Sequence, residues 1–215
     1  MARIDVKICG LKDEAGLAAA LAGGAAYVGF VFYPPSPRAI APIAAEPLAA
    51  AAAGLAKRVG LIVNASDIEI ATILAATPLD ILQLHGDETT ERTRQIRARF
   101  GLPVIKATPI ATALDLTAAN AWRDCADMLL FDAKPPATEG ALPGGNARAF
   151  DWSLLAAAQP VGPWMLSGGL TPENVVEAIH MTGATAVDVS SGVERTRGEK
   201  DPARIAAFLK AADAA

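Results

Sequence analysis

Aromatic side chains make up only 5% of the 215 residues, and there are just two cysteines, Cys9 and Cys125, and two histidines, His85 and His180. Two cysteines build no disulfide framework, so the fold must rest on an apolar core. The histidines lie far apart, and neither CxxC nor HExxH occurs, so no metal site is expected. Positive charge is also short. The 19 Lys and Arg against 23 Asp and Glu leave a net charge of -4, which supplies no global basic field for nucleic acid or an anionic membrane. Long apolar runs are missing as well. The most apolar stretch, residues 39–55, is interrupted by Pro42, Glu46 and Pro47, so no membrane span is expected. Arg3, Asp5 and Lys7 stand where a signal peptide would carry an apolar run; the expectation is a cytoplasmic protein with reduced thiols.

What the chain does have is a hydrophobic content of 52%, enough for one sizeable core and short for two ordinary domains. A single domain over residues 1–215 is expected. Short, β-branched apolar runs recur at residues 4–9, 27–32, 59–63, 80–84, 104–107, 127–131, 164–167 and 186–190. Nearly continuous apolarity over so few residues is the pattern of strands buried on both faces. Helical segments alternate with them: 14–22, 42–56 with Pro47 delaying the true start, 68–76, 91–100, 111–122 and 152–158. Two more helices open at Thr171-Pro172-Glu173 and at Asp201-Pro202, each a capping residue followed by proline at the first helical position. Eight βα units in about 200 residues predict an α/β fold, a closed parallel eight-stranded (βα)8 TIM barrel with outer helices. An open doubly wound sheet would call for a glycine-rich dinucleotide turn after the first strand, and Cys9-Gly10-Leu11-Lys12 is not one. The longest irregular stretch, 133–150, follows the sixth strand and would overhang the catalytic face.

Active sites in such barrels form at the C-terminal strand ends. Cys9 closes strand one; Gln83 and His85 lie two apart at strand four; Asp132 ends strand six; Asp188 sits in strand eight; and a proline-stiffened loop after strand two delivers Arg38. Each has a bland reading too. Cys9 would serve as a small buried apolar group, Asp132 as a loop starter or a partner for Lys134, His85 as a backbone-bonded histidine, Asp188 as a cap and Arg38 as a surface cation. Their convergence on one end of the barrel favours function. Cys125 precedes strand six, at the opposite face, and reads as structural. Ser167-Gly168-Gly169-Leu170 and Ser190-Ser191-Gly192-Val193 close strands seven and eight. Glycine turns there let backbone amides approach a phosphate, with a helix start adding a favourable dipole.

The segments Lys7-Ile8-Cys9-Gly10, Phe32-Tyr33-Pro34-Pro35-Ser36-Pro37-Arg38, Gln83-Leu84-His85-Gly86, Phe131-Asp132, Phe150-Asp151-Trp152, Ser167-Gly168-Gly169-Leu170 and Asp188-Val189-Ser190-Ser191-Gly192-Val193-Glu194 together resemble the phosphoribosylanthranilate isomerase family of tryptophan biosynthesis. The resemblance spans nearly the whole chain. It implies a (βα)8 barrel, monomeric or homodimeric, that isomerises N-(5-phosphoribosyl)anthranilate to an aminodeoxyribulose phosphate without cofactor or metal. It also implies roles: Cys9 as general base, Asp132 as general acid, Arg38 facing the anthranilate carboxylate, and the Gly168-Gly169 and Ser191-Gly192 turns on the phosphate. Gln83, His85 and Asp188 are expected to bind substrate. The family usually has threonine or serine and a further glycine after the glycine pair, where this chain has Asn146-Ala147.

Such an Amadori rearrangement needs one protonated and one deprotonated group on opposite sides of the sugar. Burial would help Asp132 keep a proton, and positive surroundings would help Cys9 reach the thiolate. Lys7, two residues earlier on the same strand side, would supply that charge or else pair with a carboxylate inside the barrel. Two alternatives differ in kind. A histidine-pathway phosphosugar isomerase uses two aspartates, whereas position 9 is cysteine; a non-catalytic phosphosugar-binding barrel would not need to keep both Cys9 and Asp132.

Overall fold

A computed structural model describes residues 3–134, 144 and 150–215. Eight parallel strands, β1 (Asp5–Cys9), β2 (Tyr27–Val31), β3 (Lys57–Ile62), β4 (Ile81–Leu84), β5 (Val104–Ile110), β6 (Met128–Ala133), β7 (Trp164–Leu166) and β8 (Ala186–Val189), close into a barrel in chain order. The helices between and after them are α1 (Glu14–Ala22), α2 (Pro42–Ala51), α3 (Asp67–Ala76), α4 (Thr90–Phe100), α5 (Ala113–Ala119), α6 (Ser153–Ala158), α7 (Val175–Thr182) and α8 (Pro202–Asp213).

The alternation of side chains along each strand divides the core in two. Val6, Ile8, Val28, Phe30, Leu82, Leu84, Leu129 and Phe131 pack outward against helix residues such as Leu17, Ile70, Ile96, Ile179 and Phe208. The other parity points into the barrel, where Val59, Ile105, Ala107, Leu130, Met165 and Ala186 form an inner layer. Above it Cys9, Val31 and Leu61 form a smaller cluster. Both faces are buried, which is why the strands read as apolar runs with little alternation.

Three helix expectations are corrected. Pro47 does not delay α2: the helix begins at Pro42 and carries Pro47 in its interior, ending at Ala51 rather than residue 56. Pro47 and Ile43 are both exposed, so the carbonyl left without an N–H partner one turn back lies on the solvent side. The segment 111–122 is shorter as an α-helix, capped by Thr112 and ending in a 3₁₀ turn, Asn120–Trp122. After β7 the α-helix does not start at Thr171-Pro172. Asn174 accepts from the Thr171 N–H (2.8 Å) and donates to the Gly169 carbonyl (3.0 Å), which holds 171–174 as a capping turn and moves the first helical residue to Val175. At α1, α3, α4 and α8 the caps are side chains of Asp13, Ser66, Thr89 and Asp201.

The sequence reading also missed a small antiparallel hairpin, β9 (Glu194–Thr196) and β10 (Glu199–Lys200), between β8 and α8. Cys9 and Cys125 are both free thiols, and the Cys125 thiol donates to the Trp122 carbonyl (3.3 Å). Of the irregular stretch 133–150, Asn146 and Ala147 lie outside the described residues. Among the described residues no helix is long and apolar enough to cross a membrane.

Candidate active site

The C-terminal strand ends surround a cavity of about 760 Å³, partly open to solvent. Of the residues expected at the site, Cys9, Arg38, His85, Asp132, Gly168, Gly169, Asp188 and Ser191 line it; Gln83 and Gly192 do not.

Parallel pairing of β1 with β8 sets Lys7 directly against Asp188. The fully buried Lys7 ammonium meets Asp188 Oδ1 at 2.8 Å, and the other carboxylate oxygen accepts from the Ser167 hydroxyl at 3.1 Å. Lys7 therefore does pair with a carboxylate inside the barrel, and its charge also acts on Cys9. Burial works against the Lys7 charge, but Asp188 and Cys9 more than offset it and hold the ammonium above its ordinary range. For Cys9 the balance runs the other way. Burial pushes the thiol up, Lys7 opposes this, Asp188 adds to it, and the nearby Lys200 opposes it. The positive surroundings expected to favour the thiolate are present in Lys7 and Lys200, but desolvation outweighs them and holds the thiol above its ordinary range.

Asp132, the penultimate residue of β6, has 6% of its surface exposed. One carboxylate oxygen accepts from the Ala133 N–H (2.8 Å), and the other lies 3.3 Å from His85 Nε2. His85 Nδ1 is in turn 2.9 Å from the Gln83 side-chain nitrogen. Lys134, the alternative partner for Asp132, turns instead to Asp115 at 3.6 Å. Gln83 is fully buried one residue pair below the rim of β4, so its partner is His85 rather than the cavity.

Arg38 is 4% exposed and grips Glu194 with two nitrogens, Nε to Oε1 at 2.7 Å and Nη2 to Oε2 at 3.0 Å. Lys200 reaches the same carboxylate at 2.8 Å and also donates to the Ser190 carbonyl at 2.8 Å. Burial raises the Glu194 carboxyl, but the hydrogen bonds from Arg38 and the charge of Lys200 outweigh it and hold the group below the usual carboxylate range. Lys200 is itself lowered, because burial outweighs the pull of Glu194. This network fastens the β9–β10 hairpin to the Arg38 loop.

The two glycine turns lie side by side at the cavity wall. Gly168 and Gly169 adopt φ of +88° and +67°, a conformation that favours glycine. Ser191 opens a 3₁₀ turn, Ser191–Val193. Gly192 serves a different purpose: a Cβ there would collide with the Leu170 carbonyl, so its missing side chain lets the two loops touch. The α7 amino terminus, displaced to Val175, stands one turn further from the glycines than the sequence suggests.

Residue reasoning passed over Lys200 and Gly29, and named Ser167 and Glu194 only within longer segments, with no role of their own. The signal for Gly29 was available, as a lone glycine inside an apolar strand. A Cβ there would press on Cys9 Sγ (3.1 Å) and Lys7 Cε (3.3 Å), so Gly29 makes room for both. The Glu194–Arg38 pair spans 156 positions and has no local signature.

Comparison with known proteins agrees with this geometry. Residues 6–211 match the family model described as N-(5'phosphoribosyl)anthranilate (PRA) isomerase. The N-(5'-phosphoribosyl)anthranilate isomerase of Paracoccus denitrificans is 56% identical over 212 residues, covering 98% of both chains. That of Rhodospirillum rubrum is 54% identical over 210 residues, covering 96% of both. Among solved structures, the Thermotoga maritima phosphoribosyl anthranilate isomerase superposes with a TM-score of 0.87 at 38% identity over the whole of both chains. A phosphoribosyl anthranilate isomerase solved in complex with reduced 1-(o-carboxyphenylamino)-1-deoxyribulose 5-phosphate gives 0.85 at 36% identity, again over both whole chains. With the barrel closed in chain order, the cavity at its strand ends and the match running almost from end to end, the chain belongs to the N-(5'-phosphoribosyl)anthranilate isomerase family.

Proposed function

We propose that this chain isomerises N-(5-phosphoribosyl)anthranilate to 1-(o-carboxyphenylamino)-1-deoxyribulose 5-phosphate, in tryptophan biosynthesis, with Asp132 as acid and Cys9 as base. The observation that carries the assignment is the placement of Cys9 and Asp132, from β1 and β6, on the wall of one cavity that also holds the glycine turns.

Asp132 gives its proton to the ribose ring oxygen. The C1–O bond breaks with its electrons going to that oxygen, and the anilinic nitrogen lone pair forms the C=N bond. Cys9, as thiolate, then takes the proton from C2; the C–H pair becomes the C1=C2 bond and the imine electrons return to nitrogen. The enolamine becomes the ketone by losing the C2 hydroxyl proton and gaining one at C1. The substrate's own nitrogen is the electron sink, so a lysine Schiff base has no task here. The step is carried by the fraction of Cys9 that has already lost its proton to solvent, a form that the Lys7 charge favours against burial.

Arg38 meets the anthranilate carboxylate and is held in place by Glu194. The amides of Gly168, Gly169 and Ser191 take the phosphate, which the chemistry leaves untouched, so this end supplies uniform binding. Residues 1–215 act as one domain in the cytoplasm, as a monomer or a homodimer; the relative of T. maritima is described as dimeric. The test is direct. N-(5-phosphoribosyl)anthranilate generated in situ loses its anthranilate-type fluorescence as it is converted. Conversion at a typical enzymatic rate, about 1–10³ s⁻¹, is expected, and no conversion above the uncatalysed rate refutes the assignment.

A further inference from the structure

The Gln83 side chain is an anomaly. It is fully buried, its nitrogen lies 2.9 Å from His85 Nδ1, and its oxygen is buried without a hydrogen-bond partner. Turning the amide over would place the oxygen against Nδ1 and strand the NH2 group instead. That leaves two unsatisfied N–H donors in place of one unsatisfied acceptor and one spare N–H, and buried orphan donors are the rarer and costlier defect. The favoured amide therefore donates to Nδ1. A nitrogen that accepts carries no proton, so neutral His85 holds its single N–H on Nε2, and Nε2 faces the Asp132 carboxyl at 3.3 Å. Gly144 lies against this pair, where a Cβ would strike both the ring nitrogen and the carboxyl oxygen.

We propose that Gln83 and His85 form a positioning relay for Asp132: Gln83 locks His85 as the Nε2–H tautomer, and that N–H stabilises the carboxylate left once Asp132 has given its proton to the ribose oxygen. The inference rests on the reading of Asp132 as the acid. Both residues were expected to bind substrate; here Gln83 acts only through His85. The balance of the step is unchanged: one proton leaves Asp132 for the ring oxygen, and the His85 N–H stays on its nitrogen while its hydrogen bond strengthens as charge develops. The other ionisable groups at the site, Cys9, Tyr33, Arg38 and Asp188, line the same cavity from other strands and loops, and among the described residues His85 is the side chain placed on Oδ2. A hydrogen bond to a charged acceptor of this kind is worth roughly 10–100-fold in the rate of the step that creates the charge.

The chain has only two histidines, so ¹⁵N-histidine labelling resolves the tautomer. Replacing the exposed His180 by glutamine leaves one imidazole to read. At neutral pH the remaining ring of the His180→Gln protein should show a protonated Nε2 and an unprotonated Nδ1. Gln83→Leu removes the donor, and Gln83→Glu replaces it by an acceptor that demands a proton on Nδ1. Both should lower kcat by roughly 10–100-fold with KM within about twofold, and both should lose the Nε2–H signature. A ring protonated on Nδ1 in the His180→Gln protein overturns the proposal whether or not the Gln83 variants fold. So does a Gln83→Leu enzyme with unchanged kcat. Asp132→Asn separates the layers: full activity in that variant defeats the acid assignment itself, whereas an inactive Asp132→Asn beside a fully active Gln83→Leu defeats only the relay.

Discussion

Lys7→Met tests the buried charge pair, and its effect can be worked from the structure. Lys7 is fully buried, and its ammonium lies 2.8 Å from Asp188 Oδ1. Methionine fills most of the same volume, so packing changes little. What changes is that the Asp188 side chain, 5% exposed, loses its cation and retains only the Ser167 hydroxyl. Removing one partner of a buried ion pair destabilises by about 3–5 kcal/mol. For a chain of this size each kcal/mol moves Tm by roughly 2–4 °C, so the expected drop is roughly 6–20 °C. Replacing the pair together, Lys7→Met with Asp188→Leu, removes the stranded charge as well. That double variant should melt above either single variant, because a well-packed apolar pair is close to neutral relative to the ion pair. Lys7 also favours the Cys9 thiolate, so its loss pushes the thiol still further up. The acid-side limb of kcat against pH should then move to higher pH in Lys7→Met. Calorimetry of the three variants decides the matter. A Lys7→Met protein melting within about 2 °C of wild type, or singles whose losses simply add in the double, would refute the reasoning.

Other expectations follow from the same geometry. Glu194 has its carboxyl held below the ordinary range, so it contributes stability that is present above the unfolded-state value and is lost as pH falls through the folded one. Glu194→Gln should therefore flatten the acid side of a Tm–pH curve and raise KM by loosening Arg38; unchanged acid unfolding would contradict this. Arg38→Met should chiefly raise KM, and Arg38→Lys should recover only part, because an ammonium cannot span both Glu194 oxygens; equal KM in both variants would show that the guanidinium does not meet substrate. Inorganic phosphate or sulfate should compete with substrate and raise Tm by mass action, and failure to compete would place the phosphate away from the glycine turns. Gly192→Asp should disturb the contact with the Leu170 carbonyl and lower Tm as well as affinity, whereas a pure KM effect would mean that the loops tolerate the side chain.

Much of the fold was legible because a closed parallel barrel writes itself plainly. Each strand is buried on both faces and appears as an apolar run, and α1 and α8 opened where their caps, Asp13 and Asp201, permitted. The failures lie where a tertiary contact outvotes a local rule. Pro47 is tolerated within α2 because the unbonded carbonyl faces water. Asn174 outcompetes the helix start at Pro172 by bonding both Thr171 and Gly169. At the site, residue type and strand end placed Cys9, Asp132, His85 and Asp188 on one cavity. The network behind them was not legible. Lys7–Asp188 and Arg38–Glu194 join residues 181 and 156 positions apart, and only the register of β1 on β8 and the β9–β10 hairpin bring them together. The net effect of burial on Cys9 was likewise out of reach, since it depends on how far desolvation exceeds two nearby cations.

The measurement that bears most directly on the acid–base pair is kcat in the fluorescence assay for Cys9→Ser, Asp132→Asn and the double variant, each shown to be folded. Serine is far less acidic than the thiol and asparagine has no proton to give. Each single change should therefore lower kcat by roughly 10²–10⁴-fold with KM little altered, and the double should lose no more than the worse single by more than about tenfold. Either single variant retaining more than about half of wild-type kcat would contradict the assignment of the pair.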